Sequence, residues 1–94
     1  DLSISLNKLG DVMREAGDLS EARKRYEDSL KILATLAKEH PDSAQAQRGE
    51  SFALSKLGNV LRELGDLREA QKHYESSLAI DQRLAAANPG SAQA

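Results

Sequence analysis

Few side chains in this 94-residue sequence are of the types that perform catalysis or hold a metal ion. The two histidines, His40 and His73, lie far apart, and there is no cysteine. A protein metal site needs three or four converging ligands, which these residues do not supply. Serines and acidic residues are frequent, but none stands in a motif that would activate a nucleophile, and the glycines are not clustered as in a phosphate-binding loop. The sequence therefore predicts neither an enzyme nor a cofactor-binding protein.

The composition also narrows the classes of partner. Thirteen Lys and Arg residues are balanced by fifteen Asp and Glu, for a net charge of −2, without a basic stripe. Nucleic acid is therefore not an expected partner. Apolar runs are only a few residues long, so neither a membrane span nor a secretory signal is expected. Together with the absence of cysteine, these features favour a cytoplasmic location.

The residues that remain notable belong to a duplication. Leu6–Ala46 matches Leu54–Ala94 position by position without a gap, with 25 of 41 pairs identical. The identical pairs include Leu, Ala, Gly and Tyr at helical spacing together with turn residues, whereas most differing pairs look like solvent positions. The period of about 48 residues falls in the range typical of a stacked array, in which each unit buries its apolar face on its neighbour.

Each unit is predicted to contain two helices. Leucine and alanine recur at steps of three and four residues on either side of a Gly-Asp pair, Gly17-Asp18 and its copy Gly65-Asp66. The glycine suits a left-handed helix end and the aspartate suits a helix start. The second helix of the first unit should stop near Pro41, and Asp42 should open a third helix from about Ser43 to Leu64. A fourth helix is expected from Leu67 to about Ala87.

These residues resemble the tetratricopeptide repeat (TPR), a helical repeat of known pattern. The first unit has Leu6-x-x-Leu9-Gly10-x-x-Met13, then Ala22-x-x-x-Tyr26 and a proline. The second has Leu54-x-x-Leu57-Gly58-x-x-Leu61, then Ala70-x-x-x-Tyr74 and Pro89. The unit is longer than the usual one of about 34 residues, and the extra residues fall in two blocks close to two helical turns each.

The resemblance implies an all-α fold, an α-α superhelix of antiparallel helix pairs with four helices and the start of a fifth. The expected division is a single domain over 1–94, with one repeat over about 1–41, a second over about 42–89, and a further helix starting in 90–94. The residues expected to pack the repeats together are Leu6, Leu9, Gly10, Ala22, Tyr26, Leu54, Leu57, Gly58, Ala70 and Tyr74.

The resemblance also implies a function, because in this family the first helix of each unit lines a concave groove that binds peptides or helices of partner proteins. The residues on that face would be Ile4, Asn7, Asp11, Arg14, Phe52, Ser55, Asn59 and Arg62. Arg14 and Arg62 stand at matching places and could form a cationic ladder for a carboxylate, or else pair with neighbouring acidic residues. The expected function is a non-catalytic protein-interaction scaffold with an unidentified protein or peptide partner.

A structural role is the alternative. No polar capping helix is visible, and Leu78, Ile80 and Leu84 on the last full helix are apolar positions that a following unit would cover. The sequence therefore suggests a piece of a longer array, or copies that stack end to end as a spacer without a specific ligand.

Overall fold

The computed structural model describes residues 1–87, and these residues form four helices joined by short loops. Helix α1 spans Leu2–Glu15, α2 spans Leu19–Glu39, α3 spans Ala44–Glu63 and α4 spans Leu67–Ala87. The all-α fold of helix pairs is confirmed, and the predicted bounds of the third and fourth helices agree with α3 and α4. The helix predicted to start in 90–94 lies outside the described residues.

Each helix pair turns at its Gly-Asp dipeptide. Gly17 and Gly65 adopt φ values of 86° and 89°, the left-handed conformation that favours glycine. The carboxylates of Asp18 and Asp66 accept hydrogen bonds from the backbone N–H three residues later, at 3.2 and 3.3 Å. The same two residues thus end one helix and begin the next.

The capping residue of α3 differs from the prediction. Ser43, rather than Asp42, caps this helix, because its hydroxyl accepts a hydrogen bond from the backbone N–H of Ala46 at 3.1 Å. Serine and aspartate are both good N-terminal caps, and the helix begins one residue later than the aspartate would require.

In each pair, a tyrosine ring of the second helix packs against a glycine of the first helix. A Cβ on Gly10 would lie 2.6 Å from Cε1 of Tyr26, and one on Gly58 would lie 2.7 Å from Cε1 of Tyr74. Each tyrosine ring therefore fills the space left by the missing side chain. Buried serines continue this line of small residues along the crossing: Ser29 donates to the backbone carbonyl of Ser3 at 3.2 Å, as Ser77 does to Ser51 at 3.1 Å.

The two repeats meet where α3 packs against α2. Leu57 and Val60 of α3 form one core cluster with the buried Ala22 and Tyr26 of α2. This cluster is the interface between the repeats, and it excludes water from the side of α3 that faces the first repeat. Leu61 and Ala70 extend it into the second pair.

Most of the residues expected to pack the repeats are buried or partly buried, but Leu9 is an exception. Leu9 is 41 % exposed, because within residues 1–87 no helix covers that side of α1. Ile80 departs from expectation in the opposite sense. It was expected to be covered by a following unit, but it is already buried between α3 and α4.

Candidate functional site

A cavity of about 770 Å³ opens between the N-terminal halves of α1 and α3, with the C-terminal half of α2 as its floor. Ile4 on α1 and Phe52 on α3 stand exposed at its walls, and Leu33 and Leu36 of α2 lie between them. Gly49 also lines the cavity, where a Cβ would lie 2.9 Å from Cδ2 of Leu33. The cavity therefore combines an apolar floor with two exposed apolar walls.

Half of the residues predicted for a groove come together in this cavity, namely Ile4, Asn7, Asp11 and Phe52. The oxygen of the Asn7 amide is buried and, among the described residues, receives no hydrogen bond. The other four predicted residues, Arg14, Ser55, Asn59 and Arg62, do not line it.

Charges at one side of the cavity connect the two repeats. The Asp11 carboxylate accepts a hydrogen bond from the Tyr26 hydroxyl at 2.5 Å and forms an ion pair with Lys56 Nζ at 3.0 Å. Partial burial alone would raise the pKa of Asp11, but these two bonds and the charges of Lys56 and Arg14 together lower it. Burial and the bond to Asp11 raise the pKa of Tyr26 in turn. Asp11 is therefore an anion fixed in place by both repeats.

Arg14 is occupied by a second bond between the repeats. Its Nε donates to Oε1 of Glu63 at 2.6 Å, and this hydrogen bond is the main cause of its raised pKa. Arg62 lies apart from it, beside Leu67 and Tyr74 at the outer side of α4. A ladder of two unpaired guanidinium groups is thus not formed, and of the two alternatives for Arg14 the structure has the ion pair with an acidic neighbour.

Ser55 and Asn59 turn toward α4. The Ser55 hydroxyl lies 3.1 Å from the hydroxyl of Ser77, and the Asn59 amide oxygen accepts from the Tyr74 hydroxyl at 2.5 Å. Asn59 therefore accepts the hydrogen bond of the Tyr74 hydroxyl in the second repeat, as Asp11 accepts that of the Tyr26 hydroxyl in the first. Both side chains therefore form hydrogen bonds within the second helix pair.

Several residues of the cavity were not anticipated from the sequence. Lys8 and Arg48 bring cationic groups to it, and Lys56 lies with Nζ 5.3 Å from the centroid of the Phe52 ring. The sequence did contain one indication of the two lysines. Lys8 and Lys56 are matching residues of the two repeats, and both lie on helices predicted to line a groove. Nothing in the repeat pattern indicates Arg48, which has no counterpart in α1.

No arrangement within residues 1–87 suggests a metal ion: no three His, Asp or Glu side chains of that segment are grouped to hold one. Nor is any of the four helices both long enough and apolar enough to cross a lipid bilayer.

Two stacked helix pairs of matching sequence define a helical-repeat protein. The model of the family described as tetratricopeptide repeat matches residues 1–83. The chain belongs to this family, whose repeats generally mediate protein–protein interactions. No curated protein matches the chain.

Proposed function

We propose that the chain binds a segment of a partner protein in the cavity between α1 and α3. The observation that carries this proposal is the exposure of two large apolar side chains, Ile4 and Phe52, across one cavity floored by leucines. Exposed apolar side chains that converge on a concavity are typical of binding sites for peptides. The function is therefore recognition without catalysis.

The apolar part of the cavity suits one or two aliphatic or aromatic side chains of the ligand. Insertion between Ile4 and Phe52 would remove both walls and the surface of Leu33 and Leu36 from water. Burial of one large apolar side chain stabilises a complex by about 1.5–3 kcal/mol before the cost of ordering the ligand. Such an anchor would supply most of the affinity.

The charges of the cavity suggest what flanks the anchor. Within the described residues neither Lys8 nor Arg48 forms an ion pair, whereas Asp11 is neutralised by Lys56. The carboxylate of Asp1 is engaged at the start of α1, where it accepts from the Ser3 hydroxyl and from the backbone N–H of Ile4. The cationic groups that remain favour a ligand with Asp or Glu beside its apolar anchor.

A random peptide library displayed on phage tests this proposal. Selection on the wild-type chain, with depletion on Phe52→Asp, should enrich peptides that carry an apolar residue next to acidic residues. Synthetic copies of these peptides should bind Ile4→Asp and Phe52→Asp at least about tenfold more weakly by fluorescence anisotropy, a change that corresponds to about 1.4 kcal/mol. Lys8→Glu with Arg48→Glu should remove the preference for acidic residues.

Val12→Asp is the matched control, because Val12 is an exposed apolar residue of the same helix that does not line the cavity. It should bind the selected peptides as the wild type does. Peptides that bind Ile4→Asp and Phe52→Asp with unchanged affinity, or a library that yields no enriched peptide, would refute the proposal.

A further inference from the structure

Within residues 1–87, two apolar faces lie uncovered, and both have covered counterparts in the same segment. On α1, Leu9 is 41 % exposed and Val12 is 61 % exposed, whereas the matching Leu57 and Val60 of α3 are 2 % and 0 % exposed. The difference arises because α2 covers α3 on this side, while no described element covers α1. We call the surface of Leu9 and Val12 the α1 face.

The second uncovered face lies on the outer side of α4, where a cleft of about 380 Å³ opens. We call its apolar residues, Leu67, Ala70, Tyr74 and Leu78, the α4 face; Leu67 and Leu78 are exposed, Tyr74 is partly buried and Ala70 is buried. Leu78 is 55 % exposed. The matching residues of α2 form or pack against the core cluster that contains Leu57 and Val60 of α3; they are Leu19, Ala22, Tyr26 and Leu30.

The α1 face and the α4 face are thus the two halves of the interface that α2 and α3 already form. Leu9 and Val12 are identical to Leu57 and Val60, and the four residues of the α4 face are identical to their counterparts on α2. We propose that the α4 face of one copy of the chain binds the α1 face of a second copy, head to tail, in the geometry of the internal interface.

Charge complementarity supports the same register. Inside the chain, Arg14 pairs with Glu63 across the two repeats. A head-to-tail copy sets Arg62 of one chain opposite Glu15 of the next, because Arg62 matches Arg14 in the repeat and Glu15 matches Glu63. Both side chains are exposed, and among residues 1–87 neither forms an ion pair. The contact would thus gain an ion pair between chains.

The copied interface is weaker than the internal one for two reasons. Asp81 replaces Leu33 and would face Asp1 of the next chain, which replaces Gly49, so two carboxylates meet where a leucine packs on a glycine. Helix α1 has 14 residues against 20 in α3, so less surface is available. The expected dissociation constant is on the order of 100 µM, weaker than interfaces of standard size give.

A head-to-tail contact leaves one free face at each end of an open assembly, so the mass should keep rising with concentration beyond that of a dimer. Sedimentation equilibrium between about 10 µM and 1 mM, a range that brackets the expected constant, should show this growth for the 94-residue chain. Val12→Asp and Leu78→Asp should each be monomeric, with helicity and thermal stability unchanged because both residues are exposed in the monomer. Phe52→Asp, a similar change in the cavity, should associate like the wild type.

Mixing tests the direction of the contact. Val12→Asp keeps an intact α4 face and Leu78→Asp keeps an intact α1 face, so an equimolar mixture should form a dimer of the two variants that stops growing. If either variant alone still dimerises, the contact is between like faces and the head-to-tail proposal fails. A wild-type chain that stays monomeric up to about 1 mM, some tenfold above the expected constant, also overturns it, and then a different occupant covers these faces.

Asp81→Leu tests the register, because it restores the residue of the internal interface. Asp81 accepts a hydrogen bond from the Ser51 hydroxyl at 2.7 Å, but Ser51 retains a second partner in the Ser77 hydroxyl at 2.8 Å. The variant should therefore fold and associate about tenfold more tightly, a change of about 1.4 kcal/mol. Unchanged or weaker association would overturn the register, and with it the proposal that the internal interface is copied.

Discussion

Replacement of the two crossing glycines by alanine should have unequal costs, although the local geometry at the two sites is nearly the same. A Cβ on Gly10 would lie 2.6 Å from Cε1 of Tyr26, and one on Gly58 would lie 2.7 Å from Cε1 of Tyr74. Carbon atoms do not approach so closely, so each ring must move. Tyr26 is 0 % exposed and is held between α1 and α3, whereas Tyr74 borders the open cleft of α4 and can shift into it.

The expected change in the free energy of unfolding is the sum of two opposing contributions. Replacement of a glycine by alanine within a helix stabilises the folded chain by about 0.5–1 kcal/mol when there is room for the methyl group. Overpacking of a filled site costs about 1–3 kcal/mol. Overpacking should dominate at Gly10, for a net loss of about 1–2 kcal/mol, whereas at Gly58 the two contributions should nearly cancel.

Urea denaturation followed by circular dichroism, at protein concentrations too low for self-association, measures both free energies of unfolding. A double-mutant cycle isolates the cause: in a Tyr26→Leu background the ring is absent, so Gly10→Ala should become neutral or stabilising. Equal losses at Gly10 and Gly58 would refute the reasoning about mobility of the ring. A loss at Gly10 that persists in the Tyr26→Leu background would refute the contact itself.

Two further predictions concern the turn and the bond between repeats. Gly17→Ala should lower the unfolding free energy by about 1 kcal/mol through backbone strain alone, since φ is 86° and no heavy atom lies within 4 Å of the added Cβ. Gly17→Asn should lower it less, because asparagine tolerates this conformation. Equal losses for the two variants would contradict the explanation by backbone strain. Asp11→Asn gives the first repeat the residue that Asn59 provides in the second, so it should keep the Tyr26 hydrogen bond, lose the ion pair with Lys56, and cost about 0–1 kcal/mol at neutral pH. Folding lowers the pKa of Asp11. The ionised carboxylate therefore stabilises the folded chain above its unfolded pKa of about 4, and this stabilisation is lost as the pH falls through its pKa in the folded chain. As the pH is lowered through the acidic range, the urea midpoint of Asp11→Asn should therefore fall less steeply than that of the wild type. Identical slopes would contradict the lowered pKa of Asp11.

Much of the fold could be predicted because the repeat encodes each helix pair locally. The left-handed Gly17 and the capping Asp18 recur as Gly65 and Asp66, and they determine where the helices end and begin whatever surrounds them. The crossing glycine and its tyrosine likewise belong to one repeat, so their contact follows from the pattern alone. Local chemistry of this kind is read directly from residue types and spacing.

The contacts between repeats could not be predicted in the same way. Asp11 pairs with Lys56 and Arg14 pairs with Glu63, and neither pair joins matching positions of the two repeats. Which side chains meet depends on the offset between stacked helices, and the repeat period alone does not give it. The cavity depends on this offset too, because Arg48 at the start of α3 reaches it from a segment without a counterpart in α1.

Identical residues in this chain have different surroundings, as Leu9 and Leu57 show. The repeat specifies which side chain stands at each place, whereas its neighbour decides whether that side chain is covered. The proposed binding cavity is shared in the same sense, since α1 and α2 of one repeat and α3 of the next all contribute to it. A ligand in this cavity binds only when the two repeats are stacked, so its binding energy adds to the stability of their interface. Under the two proposals, ligand binding and stacking of the repeats are therefore coupled at the internal interface, while the apolar residues of the α1 and α4 faces do not line the cavity and associate independently of it.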